Sequence, residues 1–525
     1  MDTAPDEDPG PSDSDHAAVT RRATPGPGGG GGAQDRDCRR GAGGAPAGPG
    51  AAGRARRGGS GERRDHRGGG DSGGGRGGGD SRAAGDTGGV RDTGGTGTAQ
   101  DAGSAQNTGG SRDTPDAGGP GSSGGPGAPG SPAYEVTVHA ARTPERLRTG
   151  RVLSTQVMFG PALALERAAG LDLWEAEAPP LTGLRLAAAD PPGTLSARLS
   201  ATLDEPARSV DQRVKTARWL ELVEERGGRV EYGAVEPGQL ERIAAAHDLT
   251  VVATGHGPLS EIFGRDARHS PYDRPRRHLA ALYAHGVARD PRAPGAQVRT
   301  NPVADLGEFF AMEGTTVSGP CAMLMWTARP GGPFDCWQDR PGPDATAART
   351  LELLRTHLPW EYELCAGLEP TDAGAALTGA VTPVVRHPVA RVAEDRHVLG
   401  MADAVVLNDP VSGQGANSAA RCADTYLRAV LAHGDRPFDR TWMLRTFAAY
   451  WEHARHVTAF SNMLLEPLPG HAARILEAAA GHPEVAHRYF NGYADPASLQ
   501  DWFMDADRAD AYLTAVTGRA PAGSA

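Results

Sequence analysis

The sequence predicts an α/β fold with an inserted β-rich domain, C-terminal helices and a long disordered N-terminus. Three observations lead to this prediction. Strand-like runs alternate with helical patterns on both sides of a segment that holds several β-like runs, between residues 277 and 335. Apolar and aromatic residues recur at helical intervals after Phe438. The first quarter of the chain has neither kind of pattern.

The N-terminal tract is dominated by glycine. Of the 73 glycines in the chain, 41 precede residue 133, and the same tract contains no Leu, Ile, Phe, Trp, Tyr or Lys. The first leucine of the chain is Leu147. A segment without large apolar side chains buries too little surface to offset the entropy cost of ordering its backbone. We therefore expect residues 1–132 to be disordered.

Strands and helices follow in turn after this tract. Alternation predicts a first strand at residues 134–138, and the spacing of apolar residues predicts helices at 161–171 and 214–226. Continuous apolar runs at residues 249–255 and 398–404 are typical of strands that a parallel sheet buries on both faces.

The β-rich insert and the chain ends complete the architecture. Alternating residues at 317–327 indicate a strand of the inserted sheet, and a helix is expected to follow residue 417. The predicted boundaries are residues 133–256 and 371–433 for the two parts of the α/β domain, 257–370 for the β-rich domain, and 434–525 for the helical region.

Composition and charge exclude several classes of protein. No apolar run reaches the roughly 18 residues of a membrane-spanning helix, and the acidic start of the chain lacks the apolar core of a secretory signal. The five cysteines have no Cys-x-x-Cys spacing and the 17 histidines form no paired motif, so we expect neither disulfides nor a metal site. The net charge of −11 argues against nucleic-acid binding by the folded part. We expect a cytoplasmic protein without a membrane or nucleic-acid partner.

The strongest candidate for a ligand site follows the run at residues 398–404. That run ends near a carboxylate, Asp403, and residues 409–417 then read Asp-Pro-Val-Ser-Gly-Gln-Gly-Ala-Asn before a helix. Glycines let backbone N–H groups approach a ligand, and a helix N-terminus favours an anionic or electron-rich group. Asp403 is able to accept hydrogen bonds from ribityl or ribose hydroxyls. An ordinary strand–loop–helix connection with a capping Asp explains the same spacing.

Several segments resemble those of the styrene and indole monooxygenases, which are flavin-dependent epoxidases related to the aromatic hydroxylases. The resemblance begins with the Gly-Met-Ala-Asp strand end and the Asp-Pro-Val-x-Gly-Gln-Gly-Ala-Asn loop. Four further segments are similar to family segments: Thr-Gly-Arg-Val-Leu-Ser-Thr-Gln at residues 149–156, Ser-Val-Asp-Gln-Arg-Val at 209–214, the run ending in Ala-Thr-Gly at 248–255, and residues 270–277. Helical segments with Arg455-His456 and Phe490-Asn491 also fit. The similarity extends over roughly residues 133–515, in the family's order.

This resemblance implies a Rossmann-like FAD-binding domain of the group A flavoprotein monooxygenase type, in two parts at residues 133–256 and 371–433. The inserted β-rich domain at 257–370 is then the substrate-binding domain. FAD is the implied cofactor. The residues implied to surround FAD are Arg151, Leu153, Ser154, Gly255, Asp403, Asp409, Pro410, Gly413, Gln414, Gly415, Ala416 and Asn417.

The family's activity implies a two-component enzyme that uses O2 to epoxidise styrene, indole or a similar aromatic alkene through a flavin C4a-(hydro)peroxide. A separate NADH:FAD reductase supplies reduced FAD, and no catalytic acid or base of the protein is expected. In the β-rich insert, Met312, Met323, Met325 and Trp326 are candidates for an apolar substrate pocket. A stripe of Met and aromatic residues is also typical of plain core. We also consider a homodimer.

The family begins with a strand and a Gly-x-Gly-x-x-Gly turn that binds the FAD pyrophosphate, about twenty residues before the strand at Tyr134. This chain departs from the family there, because that position holds Gly-Pro and Gly-Ser sequence. The literal match Gly125-Pro126-Gly127-Ala128-Pro129-Gly130 follows no apolar strand and contains two prolines, so we reject it as a phosphate site. Lys215 is the single lysine among 54 Lys and Arg residues, which indicates a GC-rich coding sequence. Out-of-frame reading of such codons yields the composition of residues 1–132. The tract is either a frame or start-site artefact that replaced the first strand–helix unit, or a genuine disordered extension.

Two alternative functions compete with epoxidation. An aromatic hydroxylase or a halogenase uses the same scaffold, but a halogenase needs a Trp-x-Trp-x-Ile-Pro segment and a catalytic lysine, and Trp326 and Trp360 lack such neighbours. Arg-Gly-Gly at residues 57–59, 67–69 and 76–78 resembles the RGG boxes of RNA-binding proteins. Those boxes combine arginine with aromatic residues, which this tract lacks. A chain that is a non-catalytic remnant is the remaining alternative.

Overall fold

The computed structural model describes residues 134–518, which form a mixed α/β structure. The strands are β1 (Thr137–Ala140), β2 (Leu181–Ala189), β3 (Leu195–Ala207), β4 (Arg229–Tyr232), β5 (Val251–Val252), β6 (His278–His285), β7 (Gln297–Val303), β8 (Gly307–Thr316), β9 (Gly319–Ala328), β10 (Glu369–Pro370), β11 (Ala376–Ala380), β12 (Val384–Val385), β13 (Val389–Ala393), β14 (Arg396–Gly400) and β15 (Val406–Leu407).

Helices connect the strands and make up most of the C-terminal part. They are α1 (Pro144–Thr149), α2 (Gly160–Ala168), α3 (Gln212–Glu225), α4 (Pro237–Ala246), α5 (Pro258–Glu261), α6 (Pro343–His357), α7 (Pro359–Cys365), α8 (Gly415–His433), α9 (Arg440–Leu464), α10 (Gly470–Ala479), α11 (Pro483–Asn491) and α12 (Ala506–Thr517). The helices predicted at residues 161–171 and 214–226 are confirmed as α2 and α3, and the helical C-terminal region is confirmed as α9 to α12.

The largest element is an eight-stranded sheet with the order β10–β6–β9–β8–β7–β2–β3, in which β11 also pairs with β6. All its pairs are antiparallel except β2 with β7. Two residues, Val317 and Ser318, close the β8–β9 hairpin, and Gly319 adopts a positive φ of 101° directly after them. The predicted β-rich insert is therefore confirmed as a sheet.

The β2–β3 hairpin differs from the sequence-based expectation, which placed no strand there. Gly183 and Arg185 lie in the middle of β2 and interrupt the apolar pattern that signals a strand. The hairpin belongs to the segment predicted as the first part of the α/β domain, yet it completes the large sheet. The boundary predicted at residue 256 thus does not separate this sheet from the rest of the chain.

Parallel pairing occurs in two smaller sheets. Strand β1 pairs with β4 in parallel, and β5 pairs with β14, which also carries β13 on its other edge. The strand predicted at residues 249–255 is only two residues long, as β5. The strand predicted at 398–404 ends at Gly400, and a 3-10 turn over Ala402–Ala404 follows it. Val398 and Leu399 are fully buried, as expected for a strand covered on both faces.

The two faces of the large sheet bury different side chains. Trp326 of β9 packs against Phe309 and Phe334, with ring centroids 4.6 and 4.8 Å apart. Its Nε1 donates a hydrogen bond of 3.2 Å to Thr350 of α6, so this face is covered by α6. Met325, the next residue along β9, points to the opposite face because side chains alternate along a strand.

A buried ionic cluster around Arg213 joins the large sheet to α3. The guanidinium group donates to both carboxylate oxygens of Asp372 at 2.9 Å and to Asp211 Oδ2 at 2.8 Å. It also donates to the carbonyl of Gly150 and to Thr316 Oγ1, each at 3.0 Å. Arg213 is 1% exposed. Burial works against ionised Asp372, but the hydrogen bonds from Arg213 and from the Gly374 N–H hold the pKa of Asp372 below its usual value.

None of the described helices combines the length and the apolar character needed to cross a bilayer. The predicted disorder of residues 1–132 and the rejected glycine match at 125–130 lie outside the described residues.

Replacing Arg213 tests the role of this cluster. Arg213→Met should lower the free energy of unfolding by about 3–5 kcal/mol, because it leaves the fully buried carboxylate of Asp211 without its cation. Arg218→Met is the matched control on the same helix, since Arg218 is partly exposed and pairs with Glu221 and Glu225 at the surface. That control should cost less than about 1 kcal/mol. Urea unfolding of both variants measures the difference, and equal losses would contradict the role assigned to Arg213.

Candidate functional site

The extended segment between α1 and α2 runs past both the large sheet and the start of α8. Its Ser154 carbonyl accepts a hydrogen bond of 2.7 Å from the Tyr283 hydroxyl of β6, and Thr155 Oγ1 lies 3.0 Å from Met325 Sδ of β9. Arg151 and Leu153 alternate with the buried Val152 and are exposed. Of the residues predicted around the cofactor, Ser154 thus lies beside the large sheet, and Arg151 and Leu153 are open to a ligand.

Asn417 fastens the glycine loop to this segment. Its Nδ2 donates to the Val157 carbonyl and its Oδ1 accepts from the Phe159 N–H, both at 2.8 Å. Gly413 has a left-handed φ of 66°, and a Cβ added there would lie 3.0 Å from Val157. Glycine is therefore required at position 413 for its conformation and for its close approach to Val157.

The rest of the loop leads directly into α8. Pro410 begins a 3-10 turn over Pro410–Ser412, Gln414 is buried and donates to the Tyr493 carbonyl at 2.7 Å, and α8 starts at Gly415, followed by Ala416. The first N–H groups of a helix have no partner within the helix, so this end favours an electron-rich ligand. The loop and helix start predicted from the sequence are confirmed.

Asp403 lies three residues after β14, beside Gly255. A Cβ added to Gly255 would be 2.6 Å from the Asp403 Cβ, so only glycine fits there. Arg386 Nη1 donates to the carbonyls of Asp403 and Ala404, each at 3.2 Å, and so stabilises the backbone of the turn. Burial raises the pKa of Asp403 to about 6, although Arg386 works in the opposite direction. Gly255 and Asp403, which the family resemblance places around the cofactor, are therefore neighbours in the structure.

Ala402 precedes Asp403 in a strained conformation. Its φ is 49°, in the left-handed region that costs an alanine roughly 1–2 kcal/mol. Its N–H donates to Cys422 Sγ of α8 at 3.4 Å, and Tyr426 of α8 donates to the Gly400 carbonyl at 2.8 Å. The middle of α8 therefore holds the strained turn that presents Asp403.

An apolar cluster connects the large sheet with the loop. It consists of Phe310, Met325, Val411 and Leu465, each at most 7% exposed, with Tyr272 and Leu464 packed against it. Met312 and Met323 lie directly opposite each other on the same sheet face, one pair of positions further along β8 and β9. Three of the four predicted pocket residues thus share a face, and Met325 reaches the loop.

Trp326 has a different position from the other predicted pocket residues. It lies on the face covered by α6, in contact with Phe309 and Phe334 and bonded to Thr350. This placement argues against a pocket role and indicates core packing. The alternation along β9 already separates Trp326 from Met325, so the sequence contained the signal for this correction.

Asp409 is the most deeply buried acid of the loop. It is 1% exposed, its Oδ1 accepts from the Val411 N–H at 3.0 Å, and its Oδ2 has no hydrogen-bond partner among the described residues. The nearby guanidinium of Arg277 is occupied by Glu308, with two hydrogen bonds of 2.9 Å. Burial raises the pKa of Asp409 to about 7, which the Val411 N–H and Arg277 only partly offset. An unpartnered polar atom next to the apolar cluster is suited to a ligand.

The site also contains residues that sequence reasoning missed. Phe310 alternates with Met312 along β8, a period of two that could have identified it. Leu465, Val411 and Arg386 carry no comparable signal, because α9, the loop and β12 bring them to the site only in the folded chain.

Relieving the strain at Ala402 is a direct test of the turn. Ala402→Gly should leave stability unchanged or raise it by up to about 1 kcal/mol, because glycine adopts this φ without the clash of a Cβ. Ala404→Gly, in the same turn but without a positive φ, should lower stability by about 1 kcal/mol. Thermal unfolding compares the two variants, and a larger loss for the variant at 402 would rule out strain there.

The raised pKa of Asp403 predicts a pH-dependent effect of Asp403→Asn. Because the folded pKa of about 6 exceeds the unfolded value near 4, ionised Asp403 destabilises the fold above pH 6, and this penalty disappears as the pH falls towards 4. The stability of Asp403→Asn relative to the unmodified chain should therefore be greater at pH 7.5 than at pH 4, by up to about 3 kcal/mol. Asp395→Asn, at the exposed turn between β13 and β14, should show no such change. A difference that stays constant across this pH range would contradict the prediction.

Comparison with known proteins gives matches over most of the described residues. A family model described as "Styrene monooxygenase A putative substrate binding domain" matches residues 255–363. Styrene monooxygenase StyA of Pseudomonas fluorescens is 25% identical over 393 residues, which cover 71% of this chain and 90% of the relative. StyA of a Pseudomonas sp is 26% identical over 395 residues, with the same coverage.

Among solved structures, a triple mutant of the flavin-dependent brominase Bmp2 overlaps with a TM-score of 0.47 at 14% identity, covering 70% of this chain and 91% of that one. The chain is therefore similar over most of its length to the styrene monooxygenases of the StyA type.

Proposed function

We propose that this chain is an FAD-dependent monooxygenase of the two-component type that epoxidises an aromatic alkene such as styrene or indole. The proposal rests on one observation, which is that three parts of the chain are in contact. They are the segment at residues 151–159, the loop at 409–417 and the methionine-bearing face of the large sheet. Asn417 joins the first two, and Thr155 joins the first to Met325. A ligand held by the segment and the loop thus borders an apolar face.

The residues present fit one end of FAD. Asp403 would accept hydrogen bonds from the ribityl hydroxyls, and the N–H groups at the start of α8 would face the electron-rich edge of the flavin ring. The unpartnered Oδ2 of buried Asp409 supplies a further polar contact. Residues 134–518 contain no Gly-x-Gly-x-x-Gly sequence for the pyrophosphate. Reduced FAD, when bound, would supply the two electrons that activate O2, and the oxygen atom transferred to the alkene would come from O2.

The contribution of the protein is then to exclude water and orient the alkene. Phe310, Met325, Val411 and Leu465 are nearly fully buried and form an apolar cluster, in which Met325 Sδ also accepts from Thr155 Oγ1. Tyr272 is the titratable side chain packed against them, and burial, reinforced by Glu466, raises its pKa to about 12. Tyr272 therefore stays neutral and donates its hydroxyl proton to the Asn462 carbonyl at 3.2 Å. Such a surface suits an uncharged aromatic substrate.

The position of the single lysine favours epoxidation over halogenation. Lys215 Nζ lies 2.6 Å from Glu166 Oε1 and 4.8 Å from the ring of Trp219. Both partners of this ion pair are buried between α2 and α3. A lysine held in this way is unavailable for catalysis at the loop. The aromatic hydroxylase alternative lacks a comparable argument against it, and the RNA-binding alternative concerns residues outside the described range.

Supply of reduced FAD by a separate NADH:FAD reductase is part of this proposal. A homodimer and a cytoplasmic location stay predictions.

FAD titration tests the cofactor site. Among the described residues, β1 pairs only with β4, and β5 pairs only with β14. Strands β1 and β5 therefore each have one unpaired edge, beside which an added strand has room to pair. We expect the chain to bind FAD weakly, and a version with a strand and a Gly-x-Gly-x-x-Gly helix placed ahead of Tyr134 to bind it several orders of magnitude more tightly. The reason is that two or three charge-assisted hydrogen bonds to the pyrophosphate contribute about 1.5–3 kcal/mol each. Equal affinities would reject the idea that the N-terminal tract replaced this unit.

The same restored protein tests the reaction. With a supplied NADH:FAD reductase and O2, it should convert styrene or indole to the epoxide. Met325→Trp should lower kcat/KM for styrene at least tenfold while FAD binding is unchanged, because the larger side chain fills the apolar cluster. Chromatography of the products measures both. A restored protein that binds FAD and hydroxylates the ring without forming an epoxide would favour the hydroxylase alternative.

A further inference from the structure

Two arginines face each other in the large sheet on the side away from Met325. Arg185 of β2 lies directly opposite Arg299 of β7 in the parallel register, so both side chains project from the same face. They are 1% and 5% exposed. Like charges directly opposite each other destabilise a sheet unless something compensates them.

One carboxylate is shared between these two cations. Glu361 of α7, which is fully buried, accepts hydrogen bonds from Arg185 Nη2 and, at 3.1 Å, from Arg299 Nε. The next acid, Asp290, is bonded to Arg198 and lies 3.5 Å from Arg292. Arg198 and Arg292 are partly exposed, so Arg185 and Arg299 are the fully buried arginines of this cluster, with Glu361 as their shared carboxylate.

Several N–H groups of the pair have no acceptor. Arg185 Nε and Nη1 and Arg299 Nη2 are buried without a hydrogen-bond partner among the described residues. The nearby amide oxygen of Asn301 already accepts from Arg185 Nη2 at 3.3 Å and from Trp360 Nε1 at 2.9 Å. Leaving a buried donor unpaired is costly, more so when it carries charge. Three such donors on two neighbouring guanidinium groups call for a common acceptor.

We propose that this arginine pair binds a small inorganic anion of the size of chloride, held between β2, β7 and α7. An anion accepts from all the free N–H groups of Arg185 and Arg299 at once. A water molecule satisfies the site less well, because it brings two hydrogens of its own that need acceptors, and the unpartnered atoms of the cluster are all donors. The site lies on the opposite sheet face from the apolar cluster and does not depend on the function proposed above.

Chloride binding is tested on the full chain by thermal unfolding. At one fixed ionic strength, replacing sodium gluconate by sodium chloride should raise the unfolding midpoint by about 2–4 °C, and the shift should saturate with chloride concentration. Sodium bromide should act in the same way. Arg185→Met should abolish the response. Equal midpoints in gluconate and chloride, or an unchanged response in Arg185→Met, would overturn the proposal.

A second buried pair supplies the matched control. Arg277 directly precedes β6 of the large sheet and pairs with Glu308 of β8, and its Nη1 donates to the carbonyls of Arg276 and Leu465. Arg277→Met should lower the midpoint but keep the chloride response. Should either variant fail to fold, bromide anomalous scattering from crystals of the unmodified chain decides the matter. A bromide peak between Arg185 and Arg299 supports the site, and a map without that peak rejects it.

Discussion

The hydrogen bonds of the buried Arg213 guanidinium join the large sheet to α3 and to the segment that enters the candidate site. Its partners come from the start of α3, the end of β8, the link between β10 and β11, and the segment that leads to residue 151. A planar group with five donors is able to bind four parts of the chain at fixed angles, which the compact ammonium of a lysine cannot reproduce. Forming such a pair contributes little net stability, whereas losing one partner is costly. The chief effect of the cluster is therefore to join these four segments at one point.

The sequence predicted the parts of the site whose geometry is local. Residues 409–417 combine a proline turn, a left-handed glycine and a helix start within nine positions, so their spacing alone determines their shape. Contacts between segments that are distant in the sequence could not be predicted from local patterns. Arg185 in the middle of β2 interrupts the apolar pattern by which a strand is predicted. An isolated charge is typical of a surface position, and its partner Glu361 is far along the chain. Trp326 was one of four pocket candidates, with plain core as the alternative, and its packing against Phe309 and Phe334 favours that alternative. Val411 and Leu465 meet Phe310 only through tertiary packing.

The two faces of the large sheet carry side chains of different flexibility. Beneath α6, Trp326, Phe309 and Phe334 interlock in edge-on and tilted geometry, which leaves little freedom to any of them. On the other face, Met312, Met323 and Met325 are flexible, polarisable side chains, each at most 6% exposed. The same strands carry both sets. A flexible methionine face is thus backed by a rigid aromatic face.

The parallel pairing of β2 with β7 has a consequence for how the protein is made. Thr182 at the start of β2 donates to the carbonyl of Ala296, 114 residues further along the chain. During synthesis at about 5–20 residues per second, β2 leaves the ribosome roughly 6–23 seconds before its partner. The β2–β3 hairpin spends that interval with an open apolar edge, which is the kind of surface that chaperones bind and that pairs with other nascent chains. The speed of translation between these two strands therefore sets how long this edge stays unpaired.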